Sequence, residues 1–147
     1  MTTNTGTFSA SPDQVWRVLA DGWLYPLWVV GASRMREVEE AWPAVGSKLH
    51  HSFGVWPLLI DDTTSIQEWD PPRHAKLKAR GWPAGSAHVV IDVQPEPGGC
   101  RVTITEDAVE GPGALIPKPV RAAAILWRNK ETLQRLAYLA EGKADGK

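Results

Sequence analysis

One cysteine, two phenylalanines, two tyrosines and two methionines are all of those types that the 147 residues contain. Each scarcity excludes something. Cys100 alone cannot close an internal disulfide, so the fold must hold by packing, and a single thiol suits a reducing cytoplasm. No Cys-x-x-Cys or His-x-x-x-His spacing occurs, and His50 and His51, if on a strand, would diverge. The expectation is therefore no metal and no cofactor. A nucleophilic site is equally poorly supported: Cys100 has no evident histidine partner, and no Gly-x-Ser-x-Gly elbow or phosphate-cradling glycine loop is present.

Charge of one sign is also missing. Sixteen Lys and Arg stand against 17 Asp and Glu, for a net charge of -1, and no basic run tracks a phosphate backbone. Nucleic acid is thus not an expected partner. The longest apolar stretch, residues 23–32, contains Pro26 and falls short of the ~20 residues that a membrane span needs. No charged start followed by an apolar core and a cleavage site opens the chain, so a soluble cytoplasmic protein without a secretory signal is expected. Repeats, low-complexity tracts and linkers are absent, and residues 1–147 read as one domain, long enough to bury roughly two-thirds of the unfolded surface.

What the chain does have is tryptophan, eight of them. Each brings a large apolar area and one N–H that needs a partner when buried. Core and edge packing explains most of them; an aromatic-lined pocket is the sharper reading.

Residues 3–9 form a candidate first strand. Ser11-Pro12-Asp13-Gln14 then reads as a helix start, with Ser11 as N-cap, Pro12 where a missing N–H costs nothing and Gln14 completing a capping box. Val15, Val18 and Leu19 give that helix its apolar face, and Asp21-Gly22 ends it. A second short helix over about 23–30 is interrupted by Pro26. From Ser33 the period changes to two, with strands expected near 35–41, 48–55, 58–69, 75–82, 87–94 and 101–109. Pro- and Gly-rich breaks between them imply an antiparallel meander. A long helix over 117–141 closes the chain and supplies the cover that a sheet with one buried face requires.

Alternation assigns faces, subject to any bulge. Val102, Ile104 and Glu106 share a side. Ala87, Val89, Ile91 and Val93 point inward and leave His88 outside. His51 goes inward with Leu49, Phe53 and Val55, leaving His50 outside. Asp62 and Thr64 go inward with Leu58, Ile60 and Ile66. On the last helix, Ala122, Leu126, Leu133, Leu136 and Ala140 form an apolar stripe interrupted by Asn129, and Trp127 points nearly the opposite way.

The order strand, two short helices, six-strand meander and long helix resembles the START-like helix-grip fold, in particular the bacterial SRPBCC branch of polyketide cyclases/dehydrases and lipid-transport proteins. The residues that carry the resemblance are Ala10-Ser11-Pro12-Asp13-Gln14-Val15-Trp16 with Leu19-Ala20-Asp21, then Trp28, and Gly46-Ser47-Lys48-Leu49. Glu68-Trp69-Asp70-Pro71-Pro72-Arg73 resembles the family's Glu-x-x-Pro-Pro hairpin, and Gly98-Gly99-Cys100-Arg101-Val102 its Gly-Gly-Thr-x-Val turn, with Cys for Thr. The resemblance implies an α+β fold, a curved sheet of about seven strands around the C-terminal helix. It also implies a hydrophobic cavity between them that takes lipids, polyketides, steroids or hydrophobic cofactors. It carries over no catalytic motif, so function has to be argued from the site.

Three readings remain. The first is a binder of a hydrophobic small molecule, with Trp28, His51, Trp56, Asp62, Thr64, Glu106, Leu126, Asn129 and Leu133 as contacts and Trp28 and Trp56 near the entrance. The second is a cyclase or dehydratase that uses His51, Asp62 or Glu106 as general base, since enolisation needs a base at an acidic C–H and a donor to the enolate oxygen. Against it stand ordinary roles: a strand histidine bonded within the core, or an acid paired with Arg80 or Arg101. Asn129 could equally satisfy a buried backbone group. The third is a partner-binding domain presenting Trp127 and Arg128 from the outer side of the helix. Monomer and homodimer both fit.

Overall fold

In a computed structural model, residues 2–29, 32–53, 60–81, 85–110 and 117–142 are described. Strand β1 (Thr2–Phe8) is followed by helix α1 (Pro12–Ala20), a 3-10 turn (Gly22–Leu24) and helix α2 (Tyr25–Trp28). Then come β2 (Ala32–Val38), β3 (Lys48–Phe53), β4 (Ile60–Asp70), β5 (His74–Gly81), β6 (Gly85–Glu96) and β7 (Gly99–Glu110), and helix α3 (Lys118–Ala140) ends the fold. The strands make one antiparallel sheet in the order β1-β7-β6-β5-β4-β3-β2. β1 and β2 are thus opposite edges, and α1 and α2 carry the chain between them. This is the helix-grip α+β architecture.

The capping box forms as its residue types demand. Ser11 Oγ accepts from the Gln14 backbone N–H at 3.3 Å, and the Ser11 N–H donates to Gln14 Oε1 at 2.8 Å. Val15, Trp16, Val18 and Leu19 are then buried on one side of α1. The Trp16 indole N–H donates to the Pro72 carbonyl and its ring meets Trp69 edge-on at 5.0 Å, which fastens α1 to the β4–β5 turn. The second helix is shorter than expected, a 3-10 turn whose start Asp21 caps and then the four residues of α2. Pro26 sits in the first turn of α2, where a proline is tolerated.

Inward positions follow the alternation. Leu49, His51, Thr64, Ile66, Ala75, Leu77, Ile91, Val93, Val102, Ile104 and Glu106 are buried. The pairing shifts between Ile66 and Glu68, and this bulge keeps Ile66 and Trp69 on the inner side while Glu68 turns out. Gly98 takes φ +85° in the β6–β7 turn, and a Cβ on Gly99 would lie 1.8 Å from the Phe8 carbonyl oxygen, so only glycine lets β1 close onto β7 there.

The α3 stripe differs in phase from the expectation. Ile125, Asn129, Thr132, Leu133, Leu136 and Ala140 are buried, whereas Leu126 is 42% exposed. At ~100° per residue, Ile125 and Leu126 flank the Asn129 direction on opposite sides by ~40° and ~60°. The helix settles with Ile125 against the core. Leu126 instead presents its backbone carbonyl to Asn4 Nδ2, at 3.0 Å on β1. Trp127 is 75% exposed.

Candidate functional site

A network of polar side chains is buried among the apolar ones, and its centre is Thr64. This residue stands on β4 opposite Leu49 of β3, one diagonal step from His51. Its Oγ1 lies 2.7 Å from His51 Nε2 and 2.8 Å from the Tyr25 hydroxyl. Tyr25, from α2, lays its ring nearly parallel to the His51 imidazole at 5.2 Å, and Trp28 meets the Tyr25 ring edge-on at 5.4 Å. Tyr25 and Trp28 are three residues apart and so share a face of α2. His51 and Thr64 have no exposure, Tyr25 4% and Trp28 5%.

A second buried polar cluster, acting on the first through charge, joins β7 to α3. Glu106 accepts from Asn129 Nδ2 at 3.2 Å on one oxygen, and its other oxygen forms an ion pair with the Arg128 guanidinium. Arg128 is thus the partner of this acid, not Arg80 or Arg101; Arg101 pairs with Glu96 at 2.6 Å. Nor does Arg128 stay on the outer side with Trp127. Its backbone lies at the flank of the helix, but its long side chain reaches back to the carboxylate, as arginine stems do.

The two clusters sense each other. Burial pushes the Tyr25 phenol up to about 12; the Thr64 hydrogen bond and the Arg128 charge oppose this, and Glu106 adds to it. Tyr25 is therefore a neutral hydrogen-bonding group throughout the physiological range. Thr64, with one O–H and two lone pairs, can donate to one neighbour while accepting from the other. The two hydrogen bonds of this chain can therefore run in either sense.

The structure brings together five of the residues expected at a site: Trp28 and His51, with Thr64, on one side, and Glu106 with Asn129 on the other. Leu133 is buried and packs beside β1 at Gly6. Leu126 is not among them, being exposed for the reason given above. Asp62 stands opposite His51 in the β3–β4 register, but its side chain lies outside the described residues, as do those of Phe53 and Ile60 and all of Val55, Trp56 and Leu58. Tyr25 and Arg128 were missed. The signal for Tyr25 was its place three residues before Trp28, on the same helical face; Arg128 carried no local signal, because reach across to β7 is a tertiary fact. Among the described residues no group of three or more His, Cys, Asp and Glu is placed to hold a metal ion.

Comparison with other proteins agrees with this architecture. Residues 2–141 match the family model described as "Polyketide cyclase / dehydrase and lipid transport". No curated protein sequence matches the chain. Among solved structures, a protein from Nitrosomonas europaea superposes with a TM-score of 0.73 at 16% identity, covering 96% of this chain and 94% of its own. A protein from Chromobacterium violaceum does so with 0.72 at 20% identity, covering 95% and 96%. The di-domain ARO/CYC StfQ from the steffimycin biosynthetic pathway gives 0.75 at 12% identity, with 97% of this chain and 51% of that one covered. At these identities the likeness is one of fold.

Proposed function

Because this chain belongs to the polyketide cyclase/dehydrase and lipid-transport family, we propose that it binds a hydrophobic small molecule, a lipid, polyketide or similar compound, between the inner face of the sheet and α3. The observation that carries this reading is the polar network itself. Burying hydroxyls, an imidazole and a carboxylate is costly, and an apolar core of the same volume would be cheaper to build. Their arrangement under the long helix suits contacts to the polar atoms of an otherwise apolar ligand.

The test is native mass spectrometry of the protein after exposure to a lipid and metabolite extract of its host. A discrete added mass that survives gentle ionisation is the expected result, and Asn129→Leu together with Glu106→Gln should weaken its retention without unfolding the chain. A mass equal to the polypeptide alone, or retention unchanged in both variants, counts against the proposal.

A second reading, a cyclase or dehydratase, is favoured by the hydrogen-bonded chain from Tyr25 through Thr64 to His51. An imidazole oriented by a buried hydroxyl suits a general base that takes the proton from the carbon beside a ketone and holds it as the imidazolium. This reading expects His51→Ala to abolish turnover while ligand affinity persists.

A further inference from the structure

The Trp28 indole N–H is sealed from solvent and has no acceptor among the described residues. An indole nitrogen only donates, and a buried donor without an acceptor forfeits the hydrogen bond that it makes with water in the unfolded chain. None of the polar groups of the network accepts from it: the Tyr25 hydroxyl bonds to Thr64, and the Glu106 oxygens to Arg128 and Asn129. The Trp42 indole N–H and Asn4 Oδ1 are sealed in the same way. Those residues are only half-buried, one in the turn after β2 and the other on the edge strand β1. Trp28 differs in lying within the core, on a helix that packs against both α3 and β2.

We infer that Trp28 is the hydrogen-bond donor to an oxygen of the ligand, and that the ligand is accordingly a hydrophobic molecule bearing a carbonyl or similar acceptor, not a plain hydrocarbon. This rests on the proposed role as a binder of hydrophobic molecules. An acceptor that reaches Trp28 exchanges a missing bond for a made one, whereas a hydrocarbon in the same place leaves the donor buried and unpaired. Sites that present a buried donor discriminate strongly against analogues lacking the matching atom. The adjoining Tyr25 ring supplies an aromatic wall at the same place.

Fluorenone and fluorene share one rigid apolar skeleton and differ by a carbonyl against a methylene. Their affinities for the wild type and for Trp28→Phe, measured by equilibrium dialysis, form a closed cycle. The expected result is that the fluorenone-to-fluorene affinity ratio falls about tenfold in Trp28→Phe, the size of one hydrogen bond (~1.4 kcal/mol). A ratio unchanged by the substitution overturns the role of Trp28 while leaving the container reading intact. Binding of neither compound to the wild type overturns the container reading, and this inference with it. A second measurement does not depend on how the variant folds. In the wild type, the Trp28 indole N–H proton resonance should move downfield with fluorenone and not with fluorene; equal shifts with both also overturn the inference.

Discussion

At the scale of single residues, the unusual groups are the buried polar ones, and Tyr25 has the most testable chemistry. Burial raises its pKa from 10.0 to about 12. The folded state therefore keeps the phenolic proton where the unfolded chain releases it. Its contribution is complete below pH 10 and is lost as pH rises toward about 12. Urea unfolding of the wild type and Tyr25→Phe across this interval should show the wild type losing stability more steeply; parallel profiles would refute the assignment. Thr64 shows why the sequence could nominate a site without describing it. Alternation put its side chain and that of His51 on one face, but nothing local says that a tyrosine from a short helix far along the chain will complete the trio.

Elements add a second kind of polar contact, on the outer face of the sheet. The bulge in β4 turns Glu68 outward, so His74 of β5 lies between it and Asp92 of β6, with Nε2 at 2.7 Å from Glu68 and Nδ1 at 2.8 Å from Asp92. Each nitrogen faces a carboxylate, so the protonated ring is favoured. The Asp92 hydrogen bond is the chief cause of the raised His74 pKa, with that to Glu68 next and burial opposing. The Glu68 carboxyl is lowered, mainly by its bond to His74. With the folded histidine raised above 6.5 and the Glu68 carboxyl lowered below 4.5, the clasp is fully engaged between pH 4.5 and 6.5; it is lost as pH rises through the raised histidine value or falls through the lowered Glu68 value. Lys76, which also acts on Glu68, favours the same carboxylate form. A two-dimensional NMR titration should place the His74 midpoint above 6.5. Asp92→Asn should bring it down, and a midpoint that ignores this substitution would disprove the clasp. Exposure of these groups makes the effect on stability small.

For the whole molecule, the decisive contact is α3 across the sheet. Leu136 has no exposure and sits at the middle of the buried arc of the helix. Leu136→Ala should cost about 2–5 kcal/mol by chemical denaturation, through lost burial and a residual cavity. A loss below about 1 kcal/mol would mean that the helix is held elsewhere, for instance by Glu141, which accepts from the Ser9 N–H at 3.0 Å at its far end. The fold itself was legible from local chemistry. A capping box, Pro-Gly breaks and period-two stripes depend on neighbours a few residues apart, and they specified the strands, the order of elements and the closing helix. Tertiary structure decided the rest, because it turns on reach and rotation. One helix phase put Ile125 inward and Leu126 outward, one bulge turned Glu68 to His74, and one long side chain carried Arg128 back to Glu106. The sequence alone determined that His51, Thr64 and Glu106 would be carried inward on strands, since alternation is a property of the backbone. Which of them meet, and that the Trp28 indole N–H has no acceptor among the described residues, was decided only when the helices packed against the sheet, because those distances join residues that no periodicity relates.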